Sequence, residues 1–255
     1  KIQYKDRMAG PVDLCVHQAS ARLWVLNYDD GSITIIDLRT QAVVKTISGF
    51  TQPTHMNLNQ RTGEIWISET GNNRVVLIDP PAGFSSLPDS VTAENSTLFT
   101  TSLNGPTRIT IDRENDGSAG NSVYVVDSFD DQIEVFTTDG TAYEREKNPV
   151  SLLTARPAAT AVTSINQTSM VVTCSANGTI EAFEENNSDN KYAMSGNYQF
   201  VKPAVMMVDR QTGLCWIGDN GKNQLVKIRF ESASSFSLLR TMGGFLSIKD
   251  MVLNK

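Results

Sequence analysis

The feature that most constrains what this chain can fold into is a repeat. Six segments opening at residues 11, 53, 106, 157, 203 and 248 align with one another, at intervals of 42, 53, 51, 46 and 45 residues. The first five open with proline: Pro11-Val12-Asp13-Leu14-Cys15-Val16, Pro53-Thr54-His55-Met56-Asn57-Leu58, Pro106-Thr107-Arg108-Ile109-Thr110-Ile111, Pro157-Ala158-Ala159-Thr160-Ala161-Val162 and Pro203-Ala204-Val205-Met206-Met207-Val208. The sixth, Ile248-Lys249-Asp250-Met251-Val252-Leu253, lacks the proline. The third and fifth positions after the opening residue are aliphatic or Met in every copy, Thr160 excepted. An alternation of period two is the mark of a strand, not of a helix.

A polar turn and a hairpin follow each opening strand. Leu23–Asn27 runs into Ile33–Asp37, Ile65–Glu69 into Val75–Asp79, Val123–Asp127 into Ile133–Phe136, Met170–Cys174 into Ile180–Phe183, and Cys215–Asp219 into Leu225–Ile228. From Trp24, Trp66, Tyr124, Val171 and Trp216 the next strand's first aliphatic residue lies nine residues on in each copy. A fourth strand is clearest at Ala42–Ile47 and Phe236–Arg240. Four short antiparallel strands per repeat, with no helical pattern, predict an all-β chain folded as a β-propeller, because a lone blade cannot bury both its faces. The expectation is one domain over residues 1–255, six-bladed: five complete four-stranded blades and a sixth shared between the N- and C-terminal strands. In that scheme Lys1–Ala9 pairs with the blade opened at Ile248 and removes the open edges. The sixth blade lacks its second and third strands. The chain therefore reads as a fragment of a longer one, or as a propeller completed by a partner strand.

Composition narrows the function classes. Lys and Arg number 22 against 28 Asp and Glu, a net charge of −6 that opposes binding to phosphate backbones or anionic lipid. Nucleic acid is not an expected partner, and no apolar run approaches the ~20 residues needed to cross a bilayer as a helix. Cys15, Cys174 and Cys215 are an odd number without metal-ligand or redox spacing. The Asn-x-Ser/Thr sequons at Asn95, Asn166, Asn177 and Asn186 are about as many as the composition produces by chance.

The repeats resemble the NHL/YVTN class of propeller repeat. Leu23-Trp24-Val25-Leu26-Asn27-Tyr28-Asp29-Asp30-Gly31-Ser32-Ile33-Thr34-Ile35-Ile36-Asp37 is similar to the YVTN pattern of a strand, an Asn-containing turn and a strand ending in Ile-Asp. Glu69-Thr70-Gly71-Asn72-Asn73-Arg74-Val75 resembles the NHL turn, with Asp127 and Asp219 at the same acidic position and Cys174 replacing it in the fourth copy. The resemblance covers about residues 10–230 and implies the fold. It does not fix an activity, because this fold hosts binding scaffolds and several kinds of enzyme.

In such a blade the first strand starts, and the second ends, on the same face beside the central channel. Two rings of residues are expected to converge there. The start ring is Asp13, His55, Arg108, Ala159, Val205 and Asp250; the turn ring is Asn27, Glu69, Asp127, Cys174 and Asp219. Carboxylates beside one His and one Arg suit a cation, a cationic ligand or acid–base work. Equally, Asx side chains at strand ends bond the backbone of the following turn, and a rim of His and Arg can be solvated or ion-paired. Asp112, Glu114 and Asp116, followed by Gly117, place oxygen donors at alternate positions as a calcium loop opens, although Val123 stands where an EF-hand carries its bidentate Glu. Nucleophilic catalysis has little support: there is no G-x-S-x-G elbow, and His17 matches the turn-starting Asn59 and Asp209. The aromatic residues of the shared position are expected to pack between blades. The leading expectation is a non-enzymatic extracellular or cell-envelope scaffold that recognises a protein, peptide or glycan through loops. The first alternative is a metal-dependent hydrolase or lyase, of the lactonase or streptogramin-lyase type, with its site in the channel mouth. The second is a structural subunit of a surface filament, assembled with other chains.

Overall fold

The computed structural model describes residues 8–60, 62–78, 87–92, 96–99, 103–112, 122–138, 143–145, 149–209 and 212–251. The described residues form strands and turns, with one short 3-10 turn at Thr70–Asn72 and no α-helix. Contacts divide the chain into two compact units, 1–113 and 114–255.

Unit 1 contains the sheets of the first two repeats. β1 (Pro11–His17), β2 (Arg22–Asn27), β3 (Ser32–Asp37) and β4 (Ala42–Ile47) form one antiparallel meander; β5 (Pro53–Leu58), β6 (Ile65–Glu69), β7 (Arg74–Ile78) and β8 (Thr97–Phe99) form the next. β9 (Pro106–Ile111) opens the third repeat. In unit 2, β10 (Val123–Asp127) pairs with β11 (Gln132–Thr138), which also pairs with β12 (Tyr143–Arg145) and β13 (Val150–Ser151). The fourth repeat is β14 (Pro157–Ile165), β15 (Thr168–Ser175), β16 (Ile180–Glu184) and β17 (Asn187–Gly196); the fifth is β18 (Pro203–Asp209), β19 (Leu214–Asp219), β20 (Gln224–Ser232) and β21 (Ser235–Gly243). β17 and β21 touch in parallel at Ser195–Ser235 and Gly196–Phe236, so the last two sheets are continuous.

The expected strands are present in all five repeats. The sixth opening is not: Ile248–Met251 is irregular, and the amide of Asn220 bonds both the N–H and the C=O of Ile248, at 2.7 and 3.2 Å, in place of a ladder. The expected pairing of Lys1–Ala9 with that segment falls mostly outside the described residues.

Two local devices explain why the repeats look alike. In the first, second, fourth and fifth repeats the residue after the opening proline is a bulge. Pro11 faces Asn27 while Asp13 faces Leu26, and the same step recurs at Pro53/His55, Pro157/Ala159 and Pro203/Val205. Proline has no ladder donor to lose at a strand start, and a bulge re-aims the side chain that follows it. Second, each of the five hairpins ends on a left-handed residue: Gly31, Asn73, Asp131 and Asn223 just before the third strand, with φ of 60°, 48°, 56° and 55°, and Gly178 two residues before it, with φ of 95°. Gly, Asn and Asp reach this region at the lowest cost, which fixes the turn type and the near-constant spacing.

The fourth repeat departs from the expected register. Ser175, not Cys174, faces the opening proline, and the hairpin through Ala176–Gly178 is one residue shorter than the others. One residue of slip turns a strand over. Val172 therefore takes the place that Trp24 and Trp66 hold, and Cys174 enters the core on the Leu26 position.

Packing follows the repeat. In unit 1, Trp24 and Leu26 of β2 share a buried cluster with Met56 and Leu58 of β5, the next repeat's first strand. In unit 2, Tyr124 and Val126 of β10 share one with Val162 of β14, and the Tyr124 and Phe183 rings meet edge to face at 6.4 Å. Trp24 and Tyr124 thus pack between repeats, as expected, whereas Trp66 stacks on Phe99 of its own sheet at 5.4 Å. At Trp216 the ring is only half-buried, with Lys227 Nζ 5.0 Å above it.

A test separates close contact from backbone strain. A Cβ on Gly31 would sit 1.8 Å from the Phe50 carbonyl oxygen, whereas Gly213, at φ 65°, has nothing within 4 Å. Gly213→Ala is expected to cost about 1 kcal/mol, the left-handed strain alone, and Gly31→Ala at least twice as much. Denaturation midpoints measure both; equal losses would refute the contact argument.

Candidate functional site

The start-ring residues of unit 1 are held by the edge on which they lie. β1, β5 and β9 each end their sheets, so their outward backbone groups need partners from elsewhere. Asp13 Oδ2 accepts the Met56 N–H at 2.7 Å, and Cys15 Sγ lies 3.3 Å from the Met56 carbonyl. One repeat on, His55 Nδ1 accepts the Ile109 N–H at 3.2 Å and Asn57 Nδ2 donates to the Ile109 carbonyl at 2.9 Å. Position two of one repeat thus serves the N–H of position three in the next, and position four serves its C=O.

The two members meet: His55 Nε2 lies 3.7 Å from Asp13 Oδ2, both side chains nearly buried. With Nδ1 accepting from Ile109, the imidazole proton sits on Nε2, facing Asp13. Arg108, one residue before Ile109, is half-buried. Asp250 is exposed on the irregular segment after β21, and Ala159 and Val205 are buried.

Two members of the turn ring, Glu69 and Asp219, anchor the segments that lead into the opening strands. Glu69, fully buried, accepts the Thr51 N–H at 2.8 Å and bonds Asn72 and Arg74. Asn73 Oδ1 receives the Gly105 N–H at 2.9 Å, so each residue of the Asn-Asn-Arg turn has a structural partner. Asp219 accepts the N–H groups of Val201, Lys202 and Gly221 at 2.9–3.1 Å and the Tyr198 hydroxyl at 3.3 Å. Asn27 donates to Ser32 Oγ and Thr34 Oγ1, each at 3.0 Å, and Asp127 is fully buried at the end of β10.

In the fourth repeat, where the register leaves Ser175 at the acidic place, the anchor comes from another strand. Glu181 of β16 is buried and accepts the N–H groups of Leu153 and Thr154 at 2.6 and 2.9 Å. Sequence reasoning missed it; the signal was an acid in a strand position that is Val76 and Val226 in the second and fifth repeats.

Burial, then the Asp219 charge, push the Tyr198 hydroxyl up to about 12. Burial, then the proximity of Cys174, push the Cys215 thiol well up. His17 shares a 2.7 Å hydrogen bond with Ser20 in its turn, and burial followed by the Arg22 charge lowers its pKa. Of the calcium-loop residues, Asp112 is buried, and Glu114 and Asp116 lie outside the described residues. Among the described residues no group of three or more His, Cys, Asp or Glu is placed to hold a metal ion.

Three results are expected. Glu181→Ala leaves the Leu153 and Thr154 N–H groups without their carboxylate and should lower stability by about 3 kcal/mol in urea unfolding, against under 1 for Asp189→Ala on the exposed side of β17. In native alkylation Cys15, only partly buried, reacts first, while Cys174 and Cys215 label on unfolding. Tyr198, raised in the folded state, adds stability that is intact below pH ~10 and lost as pH climbs toward 12; Tyr198→Phe should flatten that alkaline fall in melting temperature.

No family model matches the chain, and no curated protein does. Solved structures do. The chain is similar to the β-propeller domain of Cps50 (Swd1) from Myceliophteria thermophila, with TM-score 0.67 and 10% identity over 93% of this chain and 73% of that one. It is similar to a chain of the nidogen/laminin complex, with TM-score 0.63 and 14% identity over 92% and 80%. It is also similar to the periplasmic gluconolactonase PpgL of Pseudomonas aeruginosa, with TM-score 0.70 and 13% identity over 93% and 71%. Likeness at such identities establishes the fold alone: the chain has the β-propeller fold.

Proposed function

We propose that this chain is a non-enzymatic binding propeller, six-bladed and of the NHL/YVTN type, that recognises another protein through the loops at one end of its sheets. One observation carries the reading: the buried acids of that end are engaged in fixing loop backbone, while the fixed loops of unit 2 present apolar side chains to solvent. Phe129, 72% exposed, tips the β10–β11 turn. Asp131 in that turn accepts the Arg156 N–H at 2.6 Å through its side chain and the Leu152 N–H at 3.2 Å through its carbonyl. Leu153 is exposed on the segment held by Glu181, and Val201 on the segment held by Asp219. Exposed apolar groups on pre-ordered loops favour association, because little entropy remains to be lost on binding. A chain of similar fold in the nidogen/laminin complex fits a protein partner.

A second reading, the metal-dependent hydrolase or lyase, is favoured by the Asp13–His55 pair, a neutral imidazole backed by a carboxylate, and by the gluconolactonase of similar fold.

The test installs a photo-crosslinker at position 129 and exposes the chain to extract of its source. Saturable crosslinking to one protein, lost in a Leu153→Asp, Val201→Asp double variant of unchanged melting temperature, is the expected result. Crosslinks scattered without saturation would overturn the binding reading. So would lactone hydrolysis with added Ca²⁺ or Mg²⁺ that disappears in His55→Gln.

A further inference from the structure

The chain contains three Asn-Gly dipeptides, Asn104-Gly105, Asn177-Gly178 and Asn220-Gly221. Such a pair is chemically labile, because glycine has no side chain to keep the asparagine amide carbon away from the next backbone nitrogen. The fold treats the three differently. At Asn104-Gly105 the glycine is buried and donates its N–H to Asn73 Oδ1 at 2.9 Å. At Asn220-Gly221 both polar atoms of the side-chain amide are fastened to the backbone of Ile248, which ties the amide to another segment. Asn177-Gly178 is at the tip of the β15–β16 hairpin, and Asn177 is exposed. Its Oδ1 accepts the Thr179 N–H at 3.1 Å and lies 2.7 Å from the Thr179 hydroxyl, while the Gly178 N–H bonds the Ser175 carbonyl of the same turn at 2.9 Å.

The bond from Thr179 folds the Asn177 side chain back over the intervening residue and brings its Cγ toward the Gly178 nitrogen. The same donor points at the oxygen on which negative charge develops when that carbon is attacked. We propose that Asn177 is a site of spontaneous deamidation selected by the fold. The Gly178 nitrogen loses its proton to solvent and bonds to Asn177 Cγ; the bond from Cγ to Nδ2 breaks and ammonia leaves with a proton. Water then opens the cyclic imide at either carbonyl, leaving aspartate or, with the main chain rerouted through the side chain, isoaspartate. The consequence is local. Gly178 abuts the next repeat, where a Cβ would fall 2.3 Å from the Phe200 carbonyl oxygen, so a main chain lengthened by one methylene loosens the Phe200–Val201 segment. The site stands whether or not Val201 meets a partner.

The test ages the full chain in mildly alkaline buffer at physiological temperature and maps the three dipeptides by mass spectrometry, scoring aspartate and isoaspartate. Conversion at Asn177 is expected about tenfold faster than at Asn104 or Asn220. In concentrated urea, where glycine follows each asparagine and no fold distinguishes them, the three should react at similar rates. Equal rates in the folded chain, or an equal lead for Asn177 in urea, would overturn the proposal, and neither measurement needs a variant. Hydrogen exchange then reads the consequence. Amides of the Phe200–Val201 segment are expected to exchange faster in the converted chain and to stay protected in an Asn177→Gln chain aged alongside it. Unchanged exchange in the converted chain would overturn the loosening.

Discussion

The structure depends on how it satisfies an edge. The first strand of each repeat ends its sheet, and an open row of N–H and C=O groups in a crowded interior would cost about 1–3 kcal/mol for each group left without a partner. In unit 1 the preceding repeat supplies side chains to that row. Asp13 and Cys15 take the two backbone groups of Met56, and His55 and Asn57 take those of Ile109. The bulge after the opening proline makes this possible, because it turns the second side chain toward the neighbouring repeat. Bonds to a carboxylate or imidazole then add direction to apolar packing that has none of its own.

The same logic governs the loops. A segment crossing from one sheet to the next carries backbone donors that no strand can pair, and a buried acid at the end of the second strand gathers them: Thr51 by Glu69, Val201 and Lys202 by Asp219. The fourth repeat shows that the requirement, not the position, persists. Its shorter hairpin turns β15 over, sends Cys174 inward and leaves Ser175 in the acidic place, and Glu181 on the adjoining strand takes the donors of Leu153 and Thr154. The loops end in a fixed conformation by two routes, which suits a surface that recognises and does not reshape.

How far this was legible in the residues follows from what each signal encodes. Opening strands and hairpins were legible because burial on alternate positions and the left-handed Gly, Asn or Asp leave marks at fixed spacing. The slip in the fourth repeat was not, because Val171 keeps the nine-residue spacing to Ile180 that Trp24 keeps to Ile33, and Val172 beside it is the same residue; only pairing with Ala161 and Val162 separates them. The sixth opening carried the strand alternation, yet Ile248 is fastened by the Asn220 amide, a side-chain contact that no periodicity records. The Asp13–His55 proximity was legible, since both occupy position two of adjacent repeats. Their employment was not, because the groups they serve are backbone atoms, identical in every sequence.

The polarity of the start ring is therefore a poor guide to chemistry taken by itself. Position two is Asp13 and His55 where the neighbouring strand is bonded, and Ala159 and Val205 where it is packed. Val205 shows the packed solution: its Cγ2 and the Ile248 side chain crowd the hydrogen of Gly218, where a Cβ would fall 2.7 and 3.0 Å from them. Both solutions hold an inner strand in place, one by direction and one by shape. A charged residue at this position signals a ligand only when its polar atoms exceed what the neighbouring backbone uses. Asp13 spends one oxygen on Leu14 and the other on Met56, and its approach to His55, at 3.7 Å, is longer than either. That ordering of distances is why the anchored loops, and not the ring, are the better place to look for recognition.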